Sequence, residues 1–128
     1  MRVILFIIAL ASPALAEAPM TGAEFDAYVT GKTLSYGNAG DATFGVEMYM
    51  TGKRVIWSVT PGICANGVWY ESKGDICFRY DGDAEPKCWA VYAEGAGLRA
   101  VYTTRPDTTV IFETVDEVVP LICNDLSS

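Results

Sequence analysis

The residues best equipped for chemistry in this chain are its carboxylates and cysteines, because its 128 residues include no histidine. Two acids whose environments split their pKa values could support glycoside hydrolysis. Glu47 and Glu71 are the strand-interior candidates. Glu47 falls beside Tyr49 and opposite Ser58 on the less apolar face of its hairpin, and Glu71 stands one residue from a turn. Both read as surface or rim glutamates. Nucleophilic catalysis lacks a histidine base, and the spacing of Ser35, Ser58 and Ser72 against Lys32, Lys53 and Lys73 suggests no serine–lysine pair. The glycines stand singly between strands, where turn geometry accounts for them, so no phosphate-binding loop is expected. The stretch Asp81-Gly82-Asp83-Ala84-Glu85 alternates carboxylates like the start of a calcium loop. Pro86 then occupies the position of the sharp-turn glycine and Tyr92 that of the bidentate glutamate, so a solvated hairpin tip is expected instead. The expectation is a non-enzymatic chain with no catalytic residue, metal or cofactor.

The four cysteines, Cys64, Cys77, Cys88 and Cys123, contain no C-x-x-C pair, which argues against zinc. In a short exported chain they imply two disulfides. The aromatic residues are abundant, with 3 Trp, 7 Tyr and 5 Phe. Most belong in a core, but Tyr49, Tyr70, Tyr80, Tyr92 and Tyr102 form a stripe that could line a pocket or an interface, since tyrosine joins apolar area to a polar tip.

The elements that position these residues are mainly strands. Thr21 and Glu24 form a capping box ahead of Phe25, Tyr28 and Val29, which share a helical face, and Gly31 stops the helix. From Lys32 onward the chain shows short runs of Val, Ile, Tyr, Trp and Thr punctuated by glycine. A two-residue turn at Gly52-Lys53 would pair Met50 with Val55, Met48 with Trp57 and Val46 with Val59, giving six apolar side chains on one face. A second hairpin turns at Ser72-Lys73-Gly74-Asp75 and sets Trp69 near Phe78. A third turns through Asp81 to Ala84 and sets Ile76 opposite Trp89, Phe78 opposite Lys87 and Cys77 opposite Cys88. That register favours a Cys77 to Cys88 disulfide, leaving Cys64 for Cys123. Further strands fit around Leu34, Leu98 to Tyr102, Thr108 to Val115 and Val118 to Ile122. The fold class expected is all-β: a small antiparallel barrel or two-sheet sandwich of about eight strands, with one short N-terminal helix and two disulfides.

Residues 1–16 read as a signal peptide: Arg2 is the positive end, Val3 to Leu10 is apolar, and Ala14-Leu15-Ala16 supplies a small-x-small cleavage site. The apolar run is short of the roughly 20 residues that span a bilayer. Residues 17–128 then form a single domain. Loss of Arg2 makes the net charge of −7 one unit more negative, a balance that repels nucleic acid and anionic lipid.

The run Gly31-Lys32-Thr33-Leu34, Gly45-Val46-Glu47-Met48-Tyr49, Val55-Ile56-Trp57, Cys64, Gly67-Val68-Trp69, Ile76-Cys77-Phe78-Arg79-Tyr80 and Cys88-Trp89 resembles small exported alphaproteobacterial proteins that belong to families of unknown function. The resemblance implies a periplasmic setting and supports the Cys77 to Cys88 pairing, but brings no activity. The function expected is a periplasmic or secreted binding or accessory module whose partner is a protein or a small apolar ligand. The alternative is an inhibitor of a secreted hydrolase, a protease or cell-wall lytic enzyme, acting through Asp81 to Glu85 or Thr104 to Asp107.

Overall fold

The computed structural model describes residues 17–39, 42–105 and 109–124. The signal peptide expected at residues 1–16 lies outside them, as do Thr108 and part of the loop expected to act at Thr104 to Asp107. A helix, α1 (Gly22–Val29), precedes eight strands: β1 (Thr33–Gly37), β2 (Thr43–Tyr49), β3 (Arg54–Thr60), β4 (Ile63–Ser72), β5 (Asp75–Tyr80), β6 (Lys87–Glu94), β7 (Gly97–Tyr102) and β8 (Val110–Glu113). Each strand pairs antiparallel with the next, and β8 returns to β1 through Tyr36 opposite Glu113 and Gly37 opposite Phe112. The sheet is therefore a closed up-and-down barrel, not a sandwich, and closure removes the free edges that an open sheet would leave.

The helix begins where the capping box requires. The Thr21 hydroxyl accepts from the Glu24 backbone N–H, and the Glu24 carboxylate accepts from the Thr21 N–H. The Glu71 carboxylate adds an acceptor for the Gly22 N–H and fixes the helix N-terminus to β4. Phe25 and Val29 point into the barrel and are fully buried. Phe25 packs edge-on against Trp69, with ring centroids 5.0 Å apart, and against Tyr49 at 5.7 Å. The helix thus plugs one end. Room for its approach comes from β5 and β6, which pair only through Ile76, Cys77 and Phe78, leaving the Val91 carbonyl to accept from the Met20 N–H.

Two hairpins have the expected register. Trp69 lies opposite Phe78, Ile76 opposite Trp89, and Cys77 opposite Cys88. Both disulfides, Cys77 to Cys88 and Cys64 to Cys123, are present. The hairpin of β2 and β3 differs by one residue: Val46 pairs with Ser58, Glu47 with Trp57 and Tyr49 with Val55. The connection is a three-residue 3-10 turn, Thr51–Lys53, in which Gly52 and Lys53 both have positive φ. The extra residue leaves Val55 and Trp57 facing inward, as expected, but turns Glu47 and Tyr49 inward with them and sends Val46 and Met48 to the outer face.

The segment 118–122 is likewise not a strand. It crosses the outside of the barrel, where the Ser35 hydroxyl accepts from the Val119 N–H at 2.9 Å and the Ile122 carbonyl accepts from the Gly62 N–H at 2.8 Å. An isolated bridge between Gly62 and Cys123 ends it beside the Cys64 disulfide. Two disulfides and no free cysteine suit an oxidising environment outside the cytoplasm. No helix among the described residues is long and apolar enough to cross a membrane.

Candidate functional site

An eight-stranded barrel is just wide enough either to be filled by its own side chains or to hold one small ligand. Four inward positions decide between these outcomes here, because they carry almost no side chain: Gly45 on β2, Ala65 and Gly67 on β4, and Ala100 on β7. The glycines are covered by rings from neighbouring strands. A Cβ on Gly45 would stand 2.3 Å from the Trp57 indole, and one on Gly67 would stand 2.9 Å from the Tyr80 ring and 2.5 Å from the Arg79 carbonyl oxygen. Trp57 and Tyr80 consequently lie close against the barrel wall and leave the axis open.

The result is an interior cavity of about 520 Å³. Phe25 and Tyr49 contribute to its floor beside the helix, and Phe78, Trp89, Val91, Leu98, Ala100 and Ile111 to its walls. Asn38, Asp83, Lys87 and Thr109 line its far end, where each is exposed to solvent. Phe78 and Tyr80 stack with their planes 7° apart, and Trp57 sits between Tyr36 and Phe44 with centroid distances of 6.4 and 6.1 Å.

Glu47 is the unusual group in this lining. It is 1% exposed, and its Oε1 accepts a hydrogen bond of 2.9 Å from the Tyr80 hydroxyl. Its Oε2 is buried without a hydrogen-bond partner among the described residues. Burial pushes the Glu47 carboxyl up to about 8, against a smaller opposing effect of the Tyr80 bond. Tyr36 and Tyr49 share a hydroxyl–hydroxyl bond of 2.7 Å. Burial raises both phenols, and the Glu47 charge adds to the rise. Tyr80 is raised by burial first and then by Glu47.

The expected tyrosine stripe divides. Tyr49 and Tyr80 line the cavity, whereas Tyr102 packs on Trp89, with centroids 4.8 Å apart. Tyr70 pairs with Cys77 and Tyr92 with Arg99 on the outer face, where the Arg99 guanidinium covers the Tyr92 ring at 4.3 Å. Tyr36 and Glu47 were not among the expected site residues. The signal that could have found them was the combination of Gly45 and Gly67 with large aromatics on the adjacent strands, since a glycine inside a strand marks close approach of a neighbouring group.

Of the other polar candidates, Glu71 stays at the rim, holding α1. Ser58 donates to the carbonyls of Thr60 and Ile63, and Ser35 is occupied by Val119. Asp83 forms an ion pair with Lys87 at the cavity mouth. No group of three metal-ligating side chains occurs among the described residues.

The geometry defines a class: a closed eight-stranded up-and-down barrel, plugged by a helix at one end, with a ligand-sized interior. Comparison with known proteins adds no closer assignment, since no protein-family model, curated protein or solved structure matches the chain.

Proposed function

We propose that this chain is a non-enzymatic binding module, exported to the periplasm or secreted, that carries one small and largely apolar molecule inside its barrel. The observation that carries this reading is the aromatic-lined cavity of about 520 Å³. Small-molecule sites fall at about 300–1,000 Å³ and combine apolar walls with a few fixed polar groups. A barrel evolved only as a rigid scaffold would gain stability by filling such a space. The hydrolase-inhibitor alternative draws less support, because Asp83 of the Asp81 to Glu85 loop is tied back to Lys87 at the cavity mouth.

The test is titration with N-phenyl-1-naphthylamine, a neutral probe whose fluorescence rises in apolar surroundings. One probe per chain is expected to bind, quenching emission from Trp57 and Trp89. Ala65→Phe, which adds a ring to the upper cavity wall, should abolish uptake while leaving the fold intact. Absence of uptake by the unmodified chain, or equal uptake by the variant, would count against an interior site.

A further inference from the structure

We propose that the cavity selects a small organic cation: an ammonium group on an apolar or aromatic body, with an N–H donated to Glu47 Oε2 and aromatic rings around the charge. This rests on the reading of the barrel as a small-molecule carrier and names the chemistry of its cargo. Three observations converge. First, an ionised carboxylate only accepts hydrogen bonds, and of the two Glu47 oxygens one is supplied by Tyr80 while the buried Oε2 has no partner among the described residues. A buried polar atom left unmatched is costly in either protonation state, and a donor on the cargo satisfies Oε2 in the ionised form. Second, Tyr36, Trp57, Phe78 and Tyr80 line the same space, and aromatic faces attract ammonium and guanidinium groups. The fold already uses this attraction at the mouth, where Lys87 Nζ lies 5.8 Å from the Tyr80 ring centroid. That lysine is committed to Asp83, so Glu47 deeper in the cavity has no cationic partner among the described residues to favour its ionised form. Third, the chain carries a net charge of −7, which raises the local concentration of cations around it.

Binding is coupled to a proton. With its carboxyl lifted to about 8, Glu47 holds a proton at neutral pH in the empty barrel. An ammonium that enters favours the ionised form, so the Glu47 proton passes to the buffer and the ammonium keeps its own. The titratable groups facing Glu47 are Tyr36 from β1, Tyr49 from its own strand and Tyr80 from β5, all raised and therefore neutral across this range. Asp83 and Lys87 at the mouth compensate each other.

The experiment is calorimetric titration of the full disulfide-bonded chain with two probes of the same shape, 1-naphthylmethylamine and 1-naphthylmethanol. The amine is expected to bind about tenfold or more tightly than the alcohol, the difference one charge-assisted hydrogen bond supplies. Repeating the amine titration at pH 6.5 in buffers of different ionisation enthalpy should show release of close to one proton, and affinity should rise toward pH 8 and then level. Glu47→Gln should erase the preference while changing alcohol affinity little. Equal or tighter binding of the alcohol, or no proton release by the unmodified chain, overturns the cation assignment while the carrier reading stands. Failure of both probes together with N-phenyl-1-naphthylamine overturns both. The proton count uses the unmodified chain and so decides the matter even if Glu47→Gln folds poorly.

Discussion

Glu47 concentrates the chemistry of the molecule in one side chain, and its protonation should be visible in the stability of the whole fold. In the unfolded chain its carboxyl returns to an ordinary value near 4.5, whereas in the barrel it lies at about 8. The folded state therefore holds the proton more tightly. The stability this provides is present below about pH 4.5 and is lost as pH rises through about 8, by up to about 1.4 kcal/mol per pH unit. Glu47→Gln has no such proton to lose. Denaturant unfolding of both proteins at intervals from pH 5 to 8.5 should show the variant gaining steadily on the unmodified chain, with the gain levelling above pH 8. A constant difference across that range would mean that Glu47 ionises in the fold as an ordinary carboxyl. A hairpin register one residue out puts Glu47 on the outer face, and this hides its burial from the apolar pattern.

That slip has a cause at the scale of the element. Strand β2 is covered on both sides: its inner face borders the cavity, while on its outer face Val46 is only 6% exposed and the Thr43 hydroxyl donates to the Glu117 carbonyl of the C-terminal segment. A strand buried on both faces carries no clean alternation, so an apolar pattern cannot choose between registers. The turn that would have chosen places a lysine at positive φ, a conformation its side chain does not advertise. The hairpins of β4 with β5 and β5 with β6 were legible because their faces differ, with Ile76, Phe78 and Trp89 inside and the cysteines outside. The helix was legible from its capping box and Gly31, where φ is 85°. A prediction belongs to β2 itself. Gly45→Ala places a methyl group against the Trp57 indole and should push that ring toward the cavity axis. A loss of about 1–3 kcal/mol is expected from overpacking, together with an altered near-ultraviolet dichroism of tryptophan and weaker uptake of a neutral probe. Unchanged spectra and affinity would show that the close contact does not shape the cavity.

For the molecule as a whole, the two disulfides divide the labour differently from the barrel hydrogen bonds. Cys77 to Cys88 closes a short loop between adjacent strands, while Cys64 to Cys123 spans 59 residues and fastens the C-terminal segment across the outer wall. By loop entropy the first is worth about 3 kcal/mol and the second about 4. Replacing Cys64 and Cys123 together by serine should lower stability by roughly the larger amount. It should also raise hydrogen exchange at the amides of Gly62 and Val119, yet preserve probe uptake, because the disulfide lies outside the cavity. Loss of uptake at retained fold would place the binding surface on that outer wall instead. Barrel closure itself was beyond the sequence. It depends on the pairing of β1 with β8 through only Tyr36 and Gly37, a contact between distant parts of the chain with no local pattern.

The central claim, that the interior of the barrel is the binding site, is tested most directly by amide and side-chain NMR shifts of the labelled chain during titration with N-phenyl-1-naphthylamine. Shifts are expected at the inward residues Tyr49, Phe78, Tyr80, Trp89, Ala100 and Ile111, with Tyr70 and Tyr92 on the outer face unmoved. Shifts confined to exposed apolar positions such as Val59, Ile63 and Val118, with the interior residues silent, would contradict it and identify an outer surface as the place of contact.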